Sequence, residues 1–200
     1  MALRLRLWLI AVSLAFSSSA MAATEPALPD AGSVAYFGVT FPAVIEDAKR
    51  VSVENKEPTE TSRGIKAVYA HDLTQTIIEL YPASRGRVPD DVNGSMVRRE
   101  FNSHRQNVLA TRNAGADVKL GREFMLVDGH KKPRLICQSF VIAHGHMSGP
   151  ANDRLADYYI CMGAVNGQFM WTHTMFKHWP DPEPVARRFL GAWIDHVWKR

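Results

Sequence analysis

From Ala156 to Trp179 the chain runs ADYYICMGAVNGQFMWTHTMFKHW, two apolar-rich stretches broken by Asn166-Gly167. Asn-Gly between strand-like runs predicts a two-residue hairpin, because a type I′ turn needs positive φ at both central residues. Such a turn fixes the register. Ala164 faces Phe169, Met162 faces Trp171, Ile160 faces His173 and Tyr158 faces Met175. Side chains alternate along a strand, so these residues share one face, and all but His173 are apolar or aromatic. The other face carries Tyr159, Cys161, Gly163, Thr172 and Thr174. The expectation is one face buried fully and the other in part.

The same alternation predicts two further hairpins. REFMLVDGHKKPRLICQSFVIAHG turns at Asp128 to Pro133, and its second arm can lie beside the Tyr158 strand. GIKAVYAHDLTQTIIELYP turns around His71 to Leu73. Ahead of them, SVAYFGVTFP and RVSVEN are short strands, joined to the rest by the polar segment Lys56 to Arg63. Helical spacing replaces alternation from about Asn93 to Asn113, where Val97, Phe101, Val108 and Leu109 recur and Gly115 follows as a C-terminal cap. Ser95 sits at the start of that helix as a cap, and Asp90 and Asp91 beside it suit the dipole. The opposite face is basic: Arg98, Arg99, Arg105 and Arg112. A second helix opens with Asp181 as N-cap, Pro182 and Glu183. Its stripe of Val185, Phe189, Leu190, Trp193, Ile194, Val197 and Trp198 must pack on the sheet.

Strands, a long helix, two hairpins and a closing helix place the chain in the α+β class. The expected architecture is one domain over residues 33–200. A largely antiparallel sheet built of hairpins is flanked by a central helix and a C-terminal amphipathic helix. This order of strands, central helix, meander with an Asn-Gly-type hairpin and aromatic closing helix resembles the PsbP-like and DcrB-like group of exported domains. The resemblance spans most of the chain and is topological. It implies an antiparallel sheet flanked by helices and a non-enzymatic accessory role, by analogy.

The first residues change the picture of where this domain works. MALRLR, the apolar run LWLIAVSLAF and the small residues SSSAMAA follow the order of a secretory signal peptide, with Ala20-Met21-Ala22 as the cleavage motif. The run is too short for the roughly 20 apolar residues of a spanning helix. Residues 1–22 are therefore expected to be removed and 23–32 to form a flexible leader, leaving a periplasmic or secreted protein with no transmembrane anchor. Arg4 and Arg6 leave with the signal, which lowers the formal charge from +4 to +2. That mild basicity does not point to nucleic acid. A hydrophobic share of 46% is ordinary for a globular domain.

Cys137 and Cys161, the two cysteines, both lie in strand-like runs. In an oxidising compartment such a pair predicts a disulfide; with no C-x-x-C, a redox enzyme is not indicated. His144 and His146 fall on one side of a strand and could begin a metal site with Met147, His173 or His178. The strand end at Gly145 is the plainer account, and no metal or cofactor is assigned. His173, on the apolar face, is either a tuned catalytic imidazole or a core histidine hydrogen-bonded to a tyrosine or a carbonyl. No G-x-S-x-G or phosphate-cradling glycine loop is present. The arginine face is either solvated or docks an anionic partner, a reading that an exposed Phe169 would strengthen. The sequence thus predicts a non-enzymatic binding or accessory protein whose partner is a protein or small ligand of the cell envelope. The alternative is a small hydrolase or metal-dependent enzyme using His173 or the His144/His146 pair.

Overall fold

The computed structural model describes residues 33–55, 64–72, 74–114, 116–144, 155–177 and 181–198. The leader and His146 lie outside the described residues, as do Gly115 and His178. The described residues form ten strands: β1 (Val34–Tyr36), β2 (Val39–Phe41), β3 (Val44–Ile45), β4 (Ala48–Asn55), β5 (Ile65–His71), β6 (Thr74–Pro82), β7 (Ala116–Val127), β8 (Pro133–His144), β9 (Leu155–Val165) and β10 (Gln168–Lys177). Helix α1 spans Ser95–Ala110 and α2 spans Pro182–Trp198. Strands β1 and β2 make a small hairpin of their own; the other eight form one antiparallel sheet in the order β3-β4-β5-β6-β10-β9-β8-β7. This is the α+β architecture the pattern predicts.

Local chemistry explains the turns. Asn166 and Gly167 both take positive φ, 53° and 86°, and the β9–β10 register follows as expected, from Ala164 opposite Phe169 to Tyr158 opposite Met175. The β7–β8 turn is closed by Asp128, whose carboxylate accepts the backbone N–H groups of His130 and Lys132 at 2.9 and 3.0 Å. It also accepts from Arg134 Nε at 2.8 Å. Two consecutive meanders, β3 to β6 and β7 to β10, meet where β6 pairs β10 from Thr74 opposite Phe176 to Pro82 opposite Gln168.

Each face of the sheet carries one helix, and here the structure corrects the expected burial. The β9–β10 face expected to be only partly covered is the one buried throughout: Tyr159, Cys161, Gly163, Val165, Met170, Thr172, Thr174 and Phe176. The cause is α2, which lays Phe189, Leu190, Trp193 and Ile194 onto that side together with Phe41 from the N-terminal hairpin. Each of those side chains contributes about 1.5–3 kcal/mol of burial. The polar atoms there are partly reconciled by pairing, since Thr76 Oγ1 and Thr174 Oγ1 lie 3.0 Å apart. Gly163 is needed where it stands: a Cβ would come within 2.3 Å of the Arg134 carbonyl oxygen.

The opposite face is covered over half its width. Helix α1 packs Val97 and Phe101 against Ile136, Phe140, Ile160 and Met162. Its start is corrected too: Gly94 occupies the cap position with no side-chain cap bond, so Ser95 does not cap. The turn before it is held by Asp91, whose carboxylate accepts from Asn93 N at 2.9 Å. The helix ends at Ala110 and tightens into a 3-10 turn over Thr111–Ala114.

Candidate functional site

Beyond the edge of α1 the sheet face stays open. There the alternation of β5, β6, β9 and β10 brings Val68, Ile77, Tyr158, Trp171 and His173 to the surface, all half-buried, with Met175 exposed. In register, Lys66, Glu79 and Trp171 form one row across the sheet, and Val68, Ile77 and His173 form the next. The patch straddles the seam between the two meanders.

His173 sits opposite Ile160, as the hairpin register requires. Its Nδ1 lies 2.9 Å from the Tyr158 hydroxyl. Burial, with Lys66 and His104 adding to it, pushes the imidazole down to about 4. Burial also pushes the Tyr158 phenol up to about 12. The ring is therefore neutral at pH 7, and a phenol donating to Nδ1 leaves Nε2 as its N–H. This is the tyrosine-bonded histidine of the structural alternative.

Beside it lies a second cluster that the sequence did not reveal. Tyr81 Oη donates to Glu100 Oε1 at 3.0 Å and lies 2.9 Å from His104 Nε2. The phenol's one hydrogen goes to Glu100, so His104 Nε2–H donates to the phenol oxygen. Burial holds the His104 imidazole below its usual range, with Glu100 opposing. Burial and Glu100 both raise the Tyr81 phenol. His104 stacks on Trp171 with centroids 4.3 Å apart, and Trp171 meets His173 edge-on at 4.7 Å. Trp171 Nε1 is buried and has no hydrogen-bond partner among the described residues. A signal existed in hindsight: Glu100 and His104 are four apart and border the Val97/Phe101 stripe, so they lie at the helix–sheet margin.

The sequence-predicted basic face is drawn mostly inward. Arg98 donates to Glu123 at 2.9 Å and to Asn93 at 3.0 Å. Arg105 reaches the other oxygen of Glu123 at 4.0 Å, and Arg112 donates to the Val118 carbonyl from two nitrogens. Three of the four thus tie α1 and its 3-10 turn to β7, and Arg99 points outward, exposed. Phe169 is 5% exposed, which removes the aromatic support for an anionic docking face.

Cys137 and Cys161 face each other across β8 and β9, with their sulfurs 2.12 Å apart in a disulfide. Both are fully buried. His144 ends β8; its side chain and His146 lie outside the described residues. Among the described residues no group of three or more His, Cys, Asp or Glu gathers around a common point, and no helix is long and apolar enough to cross a membrane. The clefts lined by Tyr69 and Phe189, by Asp128 and Trp198, and by Arg87 and Asn166 include neither His104 nor His173.

No family model matches the sequence, and no curated protein matches it. Among solved structures, the Saccharomyces cerevisiae Ran-binding protein Mog1p is similar at 9% identity and TM-score 0.38, covering 84% of this chain and 88% of that one. A mutant form of Mog1 is similar at 10% identity and TM-score 0.35, covering 84% and 89%. Likeness at that level carries no functional argument.

Proposed function

We propose that the chain is an exported, non-enzymatic accessory domain of the cell envelope that binds a protein partner through the open half of its sheet. The observation that carries this reading is the margin of α1. The helix stops short, and Val68, Ile77, Trp171 and Met175 remain as a contiguous apolar patch beside Lys66 and Glu79. Exposed apolar clusters on a small domain mark interaction surfaces. The histidines within the patch are neutral and hydrogen-bonded to tyrosines, which suits packing more than proton transfer. Export is supported by the residue order of the expected signal peptide, residues 1–22, and by the buried disulfide, which suits an oxidising compartment. The PsbP-like and DcrB-like resemblance implies the same kind of role.

Site-specific photocrosslinking tests this in cells. A crosslinking residue at Met175 should trap one periplasmic protein, and the product should vanish when Ile77→Asp is added. The same residue at Arg99 should give none. Equal capture at both positions, or capture that survives Ile77→Asp, would remove the sheet face from consideration.

A further inference from the structure

The β1–β2 hairpin rides on α2, where the Phe41 and Trp193 rings lie 5.4 Å apart and His196 Nε2 meets the Thr40 carbonyl at 2.9 Å. Its two-residue turn is Phe37-Gly38, with φ of 47° and 74°. Both residues thus take the left-handed conformation of a type I′ turn, a place that suits Asn, Asp or Gly. A phenylalanine there strains the backbone. Burial does not offset that strain: Phe37 is 49% exposed, its ring meeting Tyr36 edge-on at 4.6 Å.

The turn is held where other loops gather at the same end of the sheet. Asn166 Nδ2 donates to the Phe37 carbonyl at 2.9 Å, and Arg87 Nη2 reaches the Asn166 carbonyl at 3.4 Å. Val88 N–H donates to the Gly167 carbonyl at 3.0 Å. The β7–β8 turn joins them through Asp90, which meets Arg134 at 2.8 Å and Lys132 at 3.7 Å. Arg85, Arg87 and Lys131 remain exposed, and among the described residues none of the three is ion-paired. Asp91 and Asp195 also stand at this end, so its positive excess is modest. The other end of the sheet has the opposite sign: Glu46 and Asp47 at the β3–β4 turn, Asp72 at the β5–β6 turn and Asp181 ahead of α2 are all exposed.

We propose that the Phe37 end docks on an anionic lipid surface, its ring entering the headgroup layer and Arg85, Arg87 and Lys131 lying against lipid phosphates. An exposed aromatic ring beside unpaired cations matches the two parts of a bilayer interface, one apolar and one negatively charged. The acidic far end is turned away from such a surface, which sets the chain upright on it. This site is separate from the partner-binding face: the β1–β2 hairpin packs with α2, whereas Ile77 lies on the α1 side, and either reading can fail alone.

The test is vesicle flotation of the chain without residues 1–22, with phosphatidylcholine vesicles that contain or lack phosphatidylglycerol. The chain should float with the phosphatidylglycerol vesicles, stay behind with phosphatidylcholine alone, and be released at about 1 M salt, where charges are screened within about 3 Å. Phe37→Asn supplies a residue that the turn prefers, so its urea midpoint should rise while its partition onto vesicles falls by about fivefold or more. Reversing two cations with Arg85→Glu/Lys131→Glu should weaken partition by about twentyfold or more. Ile77→Asp should float as the parent does. Equal binding to both vesicle types, or Phe37→Asn floating as the parent, would overturn the proposal. Binding to neither would overturn it too and assign the tip to a protein partner. Loss of flotation in Ile77→Asp would move the lipid contact to the open face. Should the Arg85→Glu/Lys131→Glu chain fail to fold, the Phe37→Asn and lipid arms decide alone.

Discussion

At the residue scale, His173 makes the fold sensitive to acid in a definable window. Its folded value of about 4 lies below the unfolded value near 6.5, so on acidification the unfolded chain takes the proton first. The stability this histidine contributes is full above pH 6.5 and is lost progressively as pH falls toward 4, by about 3 kcal/mol at most. His104 and Lys66 push in the same direction. His173→Gln should therefore flatten the fall in unfolding free energy between pH 7 and 4.5, leaving the smaller slope due to His104. Urea melts at four pH values measure it, and parallel slopes for the two proteins would refute the assignment. Trp171 gives the companion prediction. Trp171→Phe removes an unpaired buried donor and some stacking on His104 together, so the two effects offset and stability should stay within about 1 kcal/mol. A loss above about 3 kcal/mol would show that the indole N–H has an acceptor in the fold. Crosslinking to the partner should nonetheless fall.

At the element scale, the hairpin β9–β10 depends on its turn. Gly167 takes φ of 86°, and a Cβ there would lie 2.7 Å from Arg87 Nε. Gly167→Ala should cost about 1 kcal/mol or slightly more, read as a lower urea midpoint with an unchanged slope. The disulfide constrains β8 and β9 through a different term. It links residues 24 apart, so the entropy of the unfolded chain accounts for about 3 kcal/mol. A Cys137→Ala/Cys161→Ala variant should lose that much, and its urea slope should rise because the released chain expands. These elements were legible in the sequence for the reason that makes them sensitive to mutation: Asn166-Gly167 and Asp128 dictate turns through their own backbone chemistry. What was not legible depends on contacts between distant segments. Thr172, Thr174 and Gly163 have the appearance of a half-polar face, and only the docking of α2 makes that face the buried one. The arginines of α1 form a free basic stripe on a helical wheel, and only the neighbouring β7 supplies Glu123 and the Val118 carbonyl. His104 lies four residues after Glu100 at the margin of the apolar stripe, which the helical period shows, but the period does not say that β10 is the strand it meets.

At the scale of the whole molecule, the seam between β6 and β10 decides whether the chain is one cooperative unit or two. The meanders β3 to β6 and β7 to β10 each close locally, and a weak seam would let one half open while the other persisted. The cores argue against that. Leu80 of β6 and Leu135 of β8 belong to one buried cluster with Trp193 of α2, so the last helix packs across both halves. Ile78 is the place to test it: fully buried, it sits in β6 with Ala67 of β5 on one side and Thr172 of β10 on the other. Ile78→Ala should cost about 2–5 kcal/mol. If the seam joins a single unit, hydrogen exchange should accelerate by a similar free energy in β5 and in β9, although only β5 is a neighbour of β6. Faster exchange confined to β3 to β6 would show two independently opening halves. The open patch over the seam would then be a hinge region whose shape a bound partner fixes, and no longer a preformed surface.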